Sequence, residues 1–433
     1  MPSLITRMES LWAALRAPSW DREELEDFQS RRLRALVRHA FERVPFYRDL
    51  YSRHGVRPED IRGLEDLPRL PVALRHEMQG RPLEHLLARG FTPEKLIRHR
   101  TSGSTGYPFT IYRTWFEERL LHAVRLREQL RWGLRLTDRR AVVVVRHGDR
   151  IDGRATRLAR RLGLLRRYSV GCLLPAREIL DRLSQYRPDT LGGYPDALVW
   201  VASEATEKER LLIRPRFIST GGETLTPDMR ARISECFGAP VYDNYGAHEF
   251  NLLAYECRET GLYHVAEESV LLEVMDNGRP VAPGQTGEVV ATALHSFAMP
   301  FLRYWTGDLA VRGPLRCPCG APCATLERIL GRVIERFTLP DGSKLHPYQL
   351  LEPLVKEAPW LRRYQLIQEA VNRVVLKLQP LDGVEPRPED LRRLRASLQA
   401  PLGPEVTLQF EFVKELPPAG SGKFRPYYSK VRS

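Results

Sequence analysis

No run of apolar residues in this 433-residue chain approaches the roughly 20 needed to cross a bilayer as a helix. The opening residues, Met1-Pro-Ser-Leu-Ile-Thr-Arg7, carry neither the apolar stretch nor the small-residue cleavage site of a secretory leader. A cytoplasmic location is therefore expected. Cysteine is scarce: there are six, four of them within or near one region, which argues for thiols or metal ligands and against a disulfide framework. Lysine is also scarce for a basic chain, supplying only eight of 67 cationic side chains against 54 acidic ones. The resulting net charge of +13 permits anionic partners. However, the arginines are spread along the chain without a basic tail or an aromatic-rich platform for single strands, so no specific nucleic-acid partner is expected. Internal repeats and low-complexity segments are also absent.

What is present reads as roughly two to three globular domains. Residues 21–54 have an apolar stripe (Leu25, Phe28, Leu33, Leu36, Val37, Phe41, Val44) behind a capping Asp21, which predicts helix. Prolines 45, 58, 68 and 71 then break the chain, so residues 1–95 form a helical N-terminal cap. Beyond it, helix-like Trp115–Arg131 and Arg177–Gln185 and an apolar element through Ala197–Ala205 alternate with strand-like Ala141–Val145 and Arg216–Ser219, favouring an α/β architecture with a largely parallel sheet. From Val265 the pattern becomes antiparallel, with Val270–Val274 and Gly287–Thr292 flanking an Asp276-Asn-Gly-Arg hairpin turn. A boundary falls near residues 330–333. The expected organisation is a large domain, 1–330, that combines α/β and antiparallel β parts, and a small mobile α+β lid, 331–433.

Five stretches carry chemistry. Thr101-Ser-Gly-Ser-Thr-Gly-Tyr-Pro108 leaves backbone N–H groups unshielded and adds hydroxyl donors, which suits a polyphosphate, although a plain surface turn has the same composition. It is not the GxxxxGK[ST] loop, since no Lys-Ser/Thr follows its last glycine. Ser219-Thr-Gly-Gly-Glu-Thr224 runs from a strand end into glycines, where a ligand can approach backbone. The others are Tyr242-Asp-Asn-Tyr-Gly-Ala-His-Glu249, Arg303-Tyr-Trp-Thr-Gly-Asp308 continuing to Leu330-Gly-Arg332, and Gly420-Ser-Gly-Lys-Phe-Arg425.

In this order the five resemble the adenylate-forming superfamily of acyl-CoA synthetases, most closely its phenylacetate–coenzyme A ligase branch and capsule-biosynthesis-related relatives. The resemblance implies ATP-dependent activation of a carboxylic acid to an acyl-adenylate, followed by transfer to a thiol, with coenzyme A as the expected acceptor. It also implies roles. Thr101, Ser102, Gly103, Ser104, Thr105 and Gly106 hold the β,γ-phosphates. Gly222, Glu223 and Thr224 border adenine, with Asp243, Asn244 and Gly246 beside them, and Tyr245 stacks on the base. Glu249 holds Mg²⁺, a hard ion suited to carboxylate oxygen. Asp308 accepts from the ribose hydroxyls, Arg332 lies by ribose or phosphate, and Lys423 reaches the α-phosphate and carboxylate as a point charge.

Three departures stand out. Tyr107 replaces the usual loop lysine. His248 stands where many relatives have threonine, free to donate to the α-phosphate or touch the acid. Ile334 occupies the usual polar pivot of the lid. The last leaves open an amine, sugar or carrier-protein acceptor, and a catalytically silent nucleotide-binding protein is the rival of another class. Tyr194, Gly221 and Ala247 adjoin the nucleotide stretches and are candidates for the acid pocket. Cys257, His264, Cys317 and Cys319 offer three thiolates and an imidazole, a set that suits structural Zn²⁺, with Cys323 left over. A monomer or homodimer is expected.

Overall fold

The computed structural model describes residues 20–100, 109–144, 154–332, 337–345, 360–381, 383–416 and 427–431, with isolated positions 8, 10, 350, 354, 357 and 358. The loop at 101–108, Ile334 and Lys423 lie outside the described residues. The chain forms two compact units, each assembled from two separated stretches: Met1–Arg135 with Tyr242–Ile329, and Leu136–Val241 with Leu330–Ser433.

In the first unit, the helix begins where its cap predicts. Asp21 accepts from Glu24 N at 2.9 Å while Glu24 reaches back to Asp21 N at 3.0 Å, and the helix runs Arg22–Arg43. It stops at Val44 because Pro45 cannot donate to the preceding turn, and a second helix restarts at Pro45–Arg53. One helix over 21–54 is therefore two. Arg32, at 2 % exposure, is the costly residue of this bundle, and its guanidinium donates to the Leu294 carbonyl at 3.0 Å. Trp115–Arg131 is helical as its pattern predicts, behind a Thr114 cap. It is preceded by an antiparallel hairpin, Ile97–Arg100 with Thr110–Arg113, in which Arg100 pairs with Thr110.

Antiparallel strands complete this unit, in the spatial order Arg279–Pro280, Val270–Asp276, Thr286–Ala293, Tyr304–Arg312, Thr325–Arg332, Tyr263–Val265, Ala254–Glu256 and Val241–Tyr245. Asn277 and Gly278 both take positive φ at the expected turn. The strand that leaves this turn is only Arg279–Pro280, because proline ends the ladder. The long partner, Thr286–Ala293, pairs on the other side of Val270–Asp276.

The second unit holds four parallel strands in the order Arg167–Gly171, Arg140–Val144, Thr190–Gly193 and Ile218–Gly221. Strands of this kind are buried on both faces and read as apolar runs, as Ala141, Val143, Leu191 and Ile218 do at no more than 1 % exposure. Helices Ala176–Tyr186, Pro195–Glu204 and Pro227–Phe237 supply Ile179, Leu180, Leu183, Leu198, Val201 and Ile233 to the same core. Each such side chain contributes about 1.5–3 kcal/mol by leaving water. The C-terminal stretch forms a mixed sheet ordered Thr407–Phe412, Arg373–Pro380, Leu361–Ala370, Tyr427–Ser429, with Pro388–Leu402 packing Leu394, Leu398 and Leu402 against it. Within this unit Arg363 pairs with Asp196, its Nε 3.2 Å from Oδ1. The fold is mixed α/β with antiparallel β parts, and no described helix is long and apolar enough to cross a membrane.

Candidate active site

The Tyr242–Glu249 stretch begins as the strand Val241–Tyr245 and turns sharply at Gly246. A Cβ on Gly246 would stand 2.3 Å from the Asn251 carbonyl oxygen, so no other residue fits this turn without moving backbone. The turn closes through Phe250 N and Asn251 N, both donating to the Ala247 carbonyl, at 3.0 and 2.7 Å. Asp243 and Asn244 are buried and face protein partners. The Tyr263 hydroxyl donates to Asp243 Oδ2 at 2.9 Å, Asp243 N donates to Glu256 Oε2 at 2.8 Å, and Arg125 donates to Asn244 Oδ1 at 2.8 Å. These bonds fix the strand that presents Tyr245.

Tyr245 and Asp308, 63 residues apart in sequence, meet: the phenol donates to Asp308 Oδ2 at 2.6 Å. Asp308 sits in Tyr304–Arg312 directly after Gly307, whose φ is 76°, and beside a register shift between Glu288 and Val290 on the neighbouring strand. Such a bulge re-aims a side chain, and Asp308 is 7 % exposed. Glu249 is 3 % exposed, accepts from the Tyr304 hydroxyl at 3.1 Å, and lies 3.5 Å from an Arg75 nitrogen. His248 is exposed, and its carbonyl accepts from Arg113.

Arg113 belongs to a cluster that the sequence reading missed. It donates to Glu118 Oε2 at 3.2 Å, and the same carboxylate faces His99 at 2.9 Å and His122 at 2.9 Å. Burial opposes ionisation of Glu118. Hydrogen bonds from His122 and His99, with the charges of His99 and Arg113, outweigh it and hold the carboxyl well below its ordinary value. His99 and Arg113 are on the hairpin that brackets residues 101–108, so one carboxylate ties that hairpin to its helix while Arg113 ties it to the His248 backbone. The signal was faint: only the His99, Glu118, His122 spacing on and before a helix hinted at it.

In the second unit, the Ile218–Gly221 strand opens into Gly222, Glu223 and Thr224, after which Thr226 caps the helix Pro227–Phe237. Glu223 accepts from Asp196 N at 3.4 Å, and Tyr194, half-buried, precedes the same helix start. Gly331 has φ 95°, and a Cβ there would meet the Tyr427 hydroxyl at 2.6 Å and Thr224 Oγ1 at 3.2 Å. That close approach explains a glycine immediately before Arg332, the last residue of its strand.

The donor atoms of Cys257, His264, Cys317 and Cys319 all lie within 4.8 Å of one another, and Cys323 is not among them. Cys319 Sγ is 3.4 Å from His264 Nε2. Two tight turns make the set: Cys257 N donates to Leu262 O across one hairpin, and Gly320 N donates to Cys317 O at 3.0 Å in the other. Three soft sulfurs and one imidazole gathered this closely suit a four-coordinate Zn²⁺.

Residues 337–430 match the family model described as the CapK C-terminal domain. The chain is 29 % identical over 360 residues to a phenylacetate–coenzyme A ligase of Thermus thermophilus, covering 80 % of this chain and 78 % of the relative. It is 28 % identical to the phenylacetate–coenzyme A ligase of Escherichia coli K12, covering 81 % and 80 %. Among solved structures, 2-hydroxyisobutyryl-CoA ligase in its postadenylation state shares the fold with a TM-score of 0.78 at 22 % identity, over 96 % of this chain and 91 % of the other. Anthranilate CoA ligase in complex with anthranoyl-AMP does so with a TM-score of 0.56 at 16 % identity, over 83 % and 75 %.

Proposed function

The chain is a homologue of the phenylacetate–coenzyme A ligases among the adenylate-forming enzymes, and on that premise we propose that it activates a carboxylic acid with ATP and passes the acyl group to coenzyme A. In the first half-reaction a carboxylate oxygen attacks the α-phosphorus and pyrophosphate leaves, giving acyl-adenylate. In the second, the thiol attacks the acyl carbon and AMP leaves. The observation that carries this reading is the meeting of Tyr245 with Asp308 in the unit that also buries Glu249.

The chemistry concentrates negative charge, so the protein's part is positioning and charge neutralisation. Tyr245 offers its ring to adenine while its hydroxyl orients Asp308, whose carboxylate accepts from the ribose hydroxyls. Gly222, Glu223 and Thr224 border the base. The 101–106 loop takes the β,γ-phosphates, and the Glu118 cluster fixes the hairpin that frames it. Glu249 suits Mg²⁺ as a buried carboxylate oxygen donor, held by the Tyr304 hydroxyl and with an Arg75 nitrogen 3.5 Å away; the ion, when bound, would offset phosphate charge. Arg332 lies by ribose or phosphate, His248 reaches the α-phosphate or the acid, and Tyr194, Gly221 and Ala247 line the acid pocket. Lys423 neutralises the α-phosphate and carboxylate as they approach.

The test is pyrophosphate release with ATP, Mg²⁺ and a panel of aryl, arylacetic and fatty acids, with and without coenzyme A. Release that depends on particular acids, accelerated by coenzyme A, is the expected result. Absence of both ATP binding and acid-dependent release would refute the reading. Ile334 at the lid pivot motivates an amine arm in the same assay, since an amide product would reassign the acceptor.

The Cys257, His264, Cys317, Cys319 set is assigned to one structural zinc per chain. Elemental analysis of purified protein is expected to find it. Cys317→Ser should abolish zinc retention and lower the thermal midpoint by about 10 °C, as a loss of a few kcal/mol does in a unit of this size. Zinc-free wild-type protein with an unchanged midpoint would remove the site.

A further inference from the structure

The chain carries a net charge of +13, and one stretch of the second unit concentrates positive charge. From Gly153 to Arg177 there are seven arginines and no acidic residue. The helix Arg154–Arg161 lies in this stretch. It closes through Leu164 N donating to Ala159 O at 2.8 Å. Leu158 and Leu162 stand four residues apart and so share a face; they are 59 % and 70 % exposed. Just beyond, Leu165 N donates to the Leu136 carbonyl at 2.6 Å, which brings in two more exposed leucines, 39 % and 47 %. Four of the 13 exposed large hydrophobic side chains among the described residues thus belong to one short segment and the residue its end bonds to. Arg157, Arg161, Arg166 and Arg167 of the same stretch are also exposed.

Scattered exposed leucines need no explanation, but four exposed leucines interleaved with exposed arginines do. A second copy of the chain would bring two arginine rims together, which charge repulsion opposes. A nucleic acid would engage the arginines and leave the leucines in water. An anionic bilayer satisfies both halves: guanidinium groups pair with headgroup phosphates, and leucines enter the acyl boundary. We propose that Leu136, Leu158, Leu162 and Leu165, with Arg157, Arg161, Arg166 and Arg167, form a docking surface for anionic phospholipid membranes. The contact is peripheral, and it is independent of the acid-activating reaction.

The experiment is flotation of the full-length protein, without nucleotide, on vesicles of phosphatidylcholine alone or with about 40 % phosphatidylglycerol. Capture by the anionic vesicles only is expected. Each arginine contributes about fivefold to partitioning, so Arg157→Glu/Arg161→Glu should lower it more than about twentyfold. Leu158→Ser/Leu162→Ser should lower it about tenfold or more by removing the inserted side chains. All four positions are exposed, and an unchanged thermal midpoint checks that the variants fold. Capture by neutral vesicles equal to that by anionic ones would overturn the proposal, as would no capture at all. So would full capture of the leucine variant, or binding to RNA with no vesicle capture, which would assign the arginines to nucleic acid.

Discussion

Glu249→Gln is expected to lower acid-dependent pyrophosphate release by about 10²–10³-fold, on the scale of removing one electrostatic stabiliser of developing charge. The substitution keeps the shape of the side chain, and an amide oxygen still accepts from the Tyr304 hydroxyl, now 3.1 Å from Glu249. What is lost is the negative charge in a position that is 3 % exposed. The loss should appear in kcat and in the Mg²⁺ concentration needed for half-maximal rate, with a smaller change in ATP affinity measured without metal. Glu249→Asp, which retains the charge on a shorter stem, should recover part of the rate. Wild-type rate and metal dependence in Glu249→Gln would take the carboxylate out of the reaction and leave it as a partner of Tyr304 and Arg75.

Lys423→Ala is expected to cut adenylation by about 10²–10³-fold while changing ATP affinity by no more than about threefold. A lysine that acts on charge developing between the α-phosphate and the carboxylate contributes to the transition state and little to ground-state binding. The segment that carries it returns to the described structure at Tyr427, which is 3 % exposed and pairs in parallel register with Leu366. That strand anchors one end of the lysine's segment. Lys423→Arg should rescue only partly, because a planar fork does not reproduce a compact ammonium. Lys430 serves as the control: it is 51 % exposed and paired with Glu369 at 2.9 Å, and Lys430→Ala should leave the rate unchanged. Equal rates in the Lys423 and Lys430 variants would withdraw the role assigned to Lys423.

Much of this was legible before any coordinates. Periodicity located Trp115–Arg131 and Ala176–Tyr186, because each buries an apolar face in its own unit and their ends carry caps or breakers. The motif order brought out Tyr245 and Asp308, and the Cys/His pattern brought out the four residues that cluster, without Cys323. The strand Leu361–Ala370 was not legible. Its Arg362, Arg363 and Gln365 break any alternation, and it is a strand because Arg373–Pro380 and Tyr427–Ser429 pair on its two edges. The Arg113, Glu118, His99, His122 cluster was hidden for a related reason. Its members come from two strands and a helix, and only tertiary packing makes one carboxylate their common partner.

The two-stretch construction of the first unit has a consequence for synthesis on the ribosome. The partner of buried Arg32 is the carbonyl of Leu294, 262 residues later, and Glu117 accepts from Phe297 N and Ala298 N, some 180 residues later. At about 5–20 residues per second, the N-terminal helices are translated many seconds before these acceptors and donors exist. Meanwhile the intervening Leu136–Val241 stretch is extruded. A guanidinium and a carboxylate destined for burial must stay hydrated over that interval, so the nascent helices cannot close their core early. Slow, late closure of this kind favours holding by a chaperone, and a chain released before residue 298 should be a substrate for proteolysis rather than a stable fragment.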